Sequence, residues 1–304
     1  MGWSYNQIDV YLSDSPNLLG ETAIGPTWTQ VSTYGLLRDR PVITPSTNNS
    51  DKIVIPGRPG ELYSTVEKRS NAQFSFEILV ADAWPFASLK ASSDQWLNNV
   101  YNRATYLKSF IETAKRVSYK EPGKQAIDYF EVLNTKCEIT DSDEKAMLLK
   151  VTMDIYPFRY YFDGNAPVQL AVGIPYEWRA NDTPNFSRPF STCCPIFVTE
   201  PFTNGQYAFH IGLGSYPYDG YEGPESFVDV NPARVTEWAT AIAGKSLTID
   251  TGKMLAYDNT GAPMNKYLTG DYAGLRPQGC SFKVRAGNNS SVVVNMYTRR
   301  GINI

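Results

Sequence analysis

The 304 residues carry 28 Lys+Arg against 31 Asp+Glu, for a formal net charge of −3. Adjacent basic pairs occur only at Lys68-Arg69, Lys115-Arg116 and Arg299-Arg300, which excludes the clustered cationic face that grips nucleic acid. Hydrophobic content of 42% with 19% charged residues excludes a disordered chain, and the length predicts two domains.

The N-terminus, MGWSYNQIDVYLSD, has no basic stretch followed by an apolar core, so no secretion signal is expected. The Met-Gly start lacks the Ser/Thr of a myristoylation site. No uninterrupted apolar window approaches the length of a membrane span. Cys137, Cys193, Cys194 and Cys280 form no CxxC pair, and His210 is the single histidine. Neither a disulfide framework nor a zinc site is predicted, and no cofactor. The sequons at Asn48, Asn181, Asn185, Asn288 and Asn289 read as products of loop composition.

In chain order, Ile8–Leu12 and Trp28–Leu37 are β-rich, and a polar Ser/Thr/Asn stretch follows from Pro41 to Ser50. Ile53-Val54-Ile55 then meets Pro56-Gly57-Arg58-Pro59-Gly60, where Gly supplies positive φ and Pro presets its own. Phe74, Phe76, Ile78 and Val80 alternate with polar neighbours and predict a half-buried strand. From Ser93, the residues Trp96, Leu97, Val100, Tyr101, Ala104, Leu107, Phe110, Ile111 and Ala114 follow helical spacing. Ser92 or Ser93 stands ready to cap that helix, and Asp94 suits its positive end. Strands are predicted over Ala126–Ile139 and through Leu149, Val151, Met153 and Ile155. The second runs into Tyr156-Pro157-Phe158-Arg159-Tyr160, and a domain boundary is placed at the turn-rich residues that follow.

The second half offers one short helix, Pro232–Ala243. Strands are predicted at Val168–Val172, Cys194–Val198, Ala208–Ile211, Phe227–Val230, Ser246–Ile249, Phe282–Val284 and Ser291–Tyr297. Short, evenly spaced strands with Gly/Pro/Asn turns predict a jelly-roll β-sandwich. The expected fold is therefore mainly β, with a β-rich α+β first domain containing one amphipathic helix.

Catalytic constellations are sparse. His210 is the one imidazole, no GxSxG elbow occurs, and neither phosphate-loop pattern is present. The segment SYPYDGYEGPESF places Asp219, Glu222 and Glu225 among Tyr216, Tyr218 and Tyr221. Paired carboxylates beside aromatic platforms serve sugar hydrolysis, and the rings alone serve sugar binding. The same composition is also that of a plain or partner-contacting loop.

Three segments carry a family resemblance. IVIPGRPGELY (Ile53–Tyr63), the PF.Y of residues 157–160, and KSLTIDTGKMLAYDNTGAPMNKYLTGDY with its following SFKV and SVVVNMYTRRGI together resemble the distal tail proteins (Dit) of long-tailed bacteriophages. That resemblance implies a ring-forming domain at 1–160, with an extended inter-subunit segment near 41–65 and a helix near 93–115. It implies a galectin-like β-sandwich at 165–304. The implied protein is not an enzyme but a homohexameric ring at the virion tail tip, assembled in the host bacterial cytoplasm. It would join the tail tube protein to the tail-associated hub protein and anchor receptor-binding or other baseplate proteins. DNA would pass through the channel without specific binding, with no membrane partner. Ile53, Ile55, Pro56, Gly57, Arg58 and Gly60 would make the inter-subunit contact; Pro59 stands where many relatives have Asn. An exposed strand edge is a template for a second chain, and a closed ring uses up every edge. A hairpin turn within one subunit is the plainer reading of the same residues. The alternative functions are a carbohydrate-binding module using Tyr216, Tyr218 and Tyr221 on host cell-wall polymer, and a cell-wall hydrolase. The acidic balance predicts a neutral or acidic channel lining.

Overall fold

The computed structural model describes residues 8–15, 18–49, 52–54, 61–63, 68–81, 99–121, 124, 126–142, 145–178, 192–203, 209–214, 228–270, 280–286 and 292–304. The chain divides into two compact units, one of Met1–Leu18, Ala23–Tyr160 and Asn303–Ile304, the other of Leu19–Thr22 and Tyr161–Ile302. The fold is mainly β, with antiparallel sheets throughout.

In the first unit, β1 (Asp9–Ser13), β2 (Thr29–Gln30), β3 (Leu36–Leu37) and β4 (Val42–Thr44) precede four ribbon strands. These are β5 (Asn48–Asn49), β6 (Lys52–Val54), β7 (Glu61–Tyr63) and β8 (Lys68–Arg69). Then come β9 (Ala72–Ala81), α1 (Val100–Thr113), β10 (Arg116–Lys120), β11 (Asp128–Ser142) and β12 (Ala146–Tyr161). The sheet runs β2-β1-β10-β11-β12-β9, with β3 and β4 both on the far side of β9. The period-two pattern expected around Phe74 forms β9, which buries Ala72, Phe74, Phe76, Ile78 and Val80. It pairs with β12 so that Phe76 faces Val151, Phe74 faces Met153 and Ile78 faces Leu149. Burying each such side chain is worth about 1.5–3 kcal/mol. Gly35 lets the chain pass close to this strand: a Cβ there would lie 2.2 Å from Ile78 Cγ2.

Helix α1 covers the sheet with Val100, Ala104, Leu107 and Ile111, spaced at helical intervals and all buried. It begins later than the periodicity suggests. Asn99 is extended (φ −96°, ψ 134°) and its side chain accepts the Tyr101 N–H, so the cap is Asn99. Ser92, Ser93, Asp94, Trp96 and Leu97 lie outside the described residues. The first unit is closed by the far end of the sequence: the Ile304 N–H donates to the Pro157 carbonyl, and the Ile304 carbonyl accepts the Ser46 N–H.

The second unit holds β13 (Pro167–Leu170), β14 (Tyr176–Trp178), β15 (Thr192–Cys193), β16 (Ile196–Thr199), β17 (Phe209–Gly214) and β18 (Val228–Val230). Helix α2 (Val235–Ile242) follows, then β19 (Leu247–Asp250), β20 (Leu255–Asp258), β21 (Leu268–Gly270), β22 (Cys280–Ala286), β23 (Val294–Tyr297) and β24 (Arg300–Asn303). Strand β15 pairs with β24. Two five-stranded sheets, ordered β13-β23-β16-β19-β20 and β14-β22-β17-β18-β21, turn their apolar faces to one shared core. Phe197 of the first sheet meets Phe282 of the second edge-on, with centroids 5.6 Å apart. Helix α2 plugs one end: Trp238 and Ile242 are fully buried, and Trp238 packs on Phe202, which packs on Phe209. Asn231 caps the 3-10 turn ahead of it by accepting the Ala233 N–H.

Candidate functional site

Two places, one in each unit, bear on how the chain meets other molecules, and both are matters of strand edges. The first is the segment that carries Ile53. Val42↔Ser75, Thr44↔Gln73, Asn48↔Arg69 and Asn49↔Lys68 keep a single antiparallel register. Lys52↔Tyr63, Ile53↔Leu62 and Val54↔Glu61 continue the pairing with an offset of two residues. The ribbon thus starts inside the sheet as β4–β9 and runs out beyond it as β5–β8 and β6–β7. At its root, Thr47 and Ser70 bind each other: the Ser70 N–H donates to the Thr47 carbonyl, and Ser70 Oγ accepts the Thr47 N–H. Ten residues separate Thr44 from Val54, enough for about 33 Å of extended chain. Among the described residues, neither β5–β8 nor β6–β7 pairs with a third strand, so each ribbon strand keeps one backbone edge open. Ile53 pairs with Leu62 of the same chain. Ile55, Pro56, Gly57, Arg58 and Gly60 lie outside the described residues.

The second place is β20, the last strand of its sheet, and here the edge is sealed. Asp258 Oδ1 accepts the N–H groups of Thr260 and Ala262, both at 2.9 Å, and the Thr260 hydroxyl at 2.6 Å. Its Oδ2 accepts Lys245 Nζ at 2.7 Å. These donors, Lys245 foremost and Thr260 next, hold the Asp258 carboxyl far below the usual aspartate range. Gly261 takes φ +83° to close the turn, donating its N–H to the Asp258 carbonyl. Asn265 then reaches back across the strand: its Oδ1 accepts the Ala256 N–H at 2.8 Å and its Nδ2 donates to the Met254 carbonyl at 2.9 Å. The Met264 N–H fills the Ala256 carbonyl at 2.7 Å. The YD…G…N.Y run is therefore a device that satisfies the outward backbone groups of an edge strand. Sequence reading singled out the motif without finding this role; the signal was the Asp-x-Thr-Gly turn with Asn following at a fixed distance.

Beside this device, between the end of α2 and the turn, lies an open cleft of about 570 Å³. Ala241, Ala262, Pro263 and Met264 line it, with Lys245 and Lys266 at its polar side. Lys266 Nζ stands 4.7 Å above the Tyr267 ring centre. Met254, in the turn before β20, and Leu255, its first residue, are 64% and 48% exposed.

His210 lies on β17 across from Asp229, with Nδ1 3.8 Å from the carboxylate, and from Arg285 on its other side. Among the described residues, no cluster of three metal-ligating side chains occurs, and no helix is long and apolar enough to cross a membrane. Cys137 is a buried thiol pushed up to about 12, chiefly by burial and then by Glu112. Tyr216, Tyr218, Tyr221, Asp219, Glu222 and Glu225 lie outside the described residues, as do the sequons at Asn181, Asn185, Asn288 and Asn289.

No protein-family model matches the sequence, and no curated protein matches it. Among solved structures, the chain is similar to the Dit protein (gp 19.1) of phage SPP1, described as a paradigm of the hub adsorption apparatus in phages infecting Gram-positive hosts. The identity is 12% over 88% of this chain and 95% of that one, with a TM-score of 0.46. It is similar also to a chain of the phage P2 baseplate in its activated conformation with Ca, at 9% identity over 95% of this chain and 97% of that one, TM-score 0.42. The same baseplate with Sr gives 9% identity, the same coverage and a TM-score of 0.41.

Proposed function

We propose that this chain is a structural distal tail protein of a long-tailed phage. It forms a homohexameric ring that joins the tail tube to the tail-tip hub. The first unit builds the ring, and the second, a galectin-like sandwich, anchors receptor-binding or other baseplate proteins. DNA passes through the middle of the ring without being specifically bound, and no reaction is catalysed.

The observation that supports this most directly is the ribbon of residues 42–75, continuous with the sheet and open along its outer strands. Open edges are prone to capture other strands. The chain seals β20 with Asp258 and Asn265, whereas among the described residues the ribbon strands have no third partner, which suits the ribbon to strand addition. Pairing the ribbon of each copy with the next around an axis uses every edge and closes the assembly. The short motifs quoted above supply the family, and the ribbon supplies the physical means.

Light scattering on the purified full chain, with negative-stain microscopy alongside, tests the reading. Six-fold rings are expected at high concentration. They should be lost when residues 47–70 are replaced by an Asn-Gly turn that rejoins β4 to β9 in register. A chain that remains monomeric at every concentration and inside particles, or rings untouched by ribbon removal, would end it. The sugar-binding and hydrolase alternatives rest on Tyr and acid residues outside the described set, and nothing among the described residues favours them.

A further inference from the structure

We draw no further inference here: the strongest candidate, the open cleft between the end of α2 and the Asp258 turn, has its Lys245 already paired with Asp258 and its Met264 buried, and nothing in the structure shows what covers it.

Discussion

Replacing Asn265 by Ala removes the clamp on the β20 edge, and its cost can be worked out group by group. The Ala256 N–H is the main loser: Ala256 is 1% exposed, so the amide loses an acceptor at 2.8 Å with no route to water. An unsatisfied buried donor costs about 1–3 kcal/mol. The Met254 carbonyl loses Asn265 Nδ2 but belongs to an exposed residue, and water takes the place of the amide at little cost. The sum is about 2 kcal/mol. For a unit of roughly 150 residues this lowers Tm by about 4–8 °C, measurable by calorimetry on the full chain. Hydrogen exchange gives a local readout: the Ala256 amide should exchange at least about tenfold faster. Asn265→Asp keeps an oxygen for Ala256 and loses only the donor to Met254, so it should cost less than half as much. A loss under about 0.5 kcal/mol for the alanine variant, with unchanged exchange at Ala256, would refute the account of the sealed edge.

Asp258 sets a pH dependence whose sign follows from its lowered carboxyl. A group depressed below its ordinary value of 3.8 contributes stability that is fully present above that value and drains away as pH falls below it. Thermal melts from neutral pH downward should therefore show a loss below about pH 4 that is missing in Asp258→Asn, which starts less stable. At Gly35, substitution by Ala forces a methyl to within 2.2 Å of Ile78 Cγ2 and should cost about 1–3 kcal/mol in urea unfolding. The added cost should shrink when Ile78→Ala is present. Trp238 has a buried indole N–H with no acceptor among the described residues, so Trp238→Phe should cost well under the about 3–5 kcal/mol expected for Trp238→Ala. Cys137, its thiol raised to about 12, should resist iodoacetamide at pH 8 in the folded protein and react once urea is added, as read by mass spectrometry.

Periodicity carried much of the fold. The alternation around Phe74 and around Val151 gave β9 and β12, and each of the seven strands expected in the second half overlaps one that forms. The short helix expected at Pro232–Ala243 appears as a 3-10 turn followed by α2. What stayed illegible has local causes. The start of α1 was misplaced because Trp96 and Leu97 keep the helical spacing, whereas Asn99 sits extended at the cap. Strand β20 has apolar residues facing outward at Leu255 and a carboxylate facing inward at Asp258, the reverse of ordinary alternation, so it read as motif rather than strand. The outer ribbon strands were not legible from periodicity, since Asn48, Asn49 and Lys52 carry no apolar pattern; their pairing depends on register inherited from β4 and β9. Segments that change units, Leu19–Thr22 and Asn303–Ile304, leave no mark in composition at all.

That last exchange bears on biosynthesis. Ser46, at the root of the ribbon, binds Ile304, and a ribosome must deliver residues 161–302 before that residue can arrive. A half-made polypeptide therefore folds its first sheet without that tie, and the contact closes only after the second unit has been synthesised.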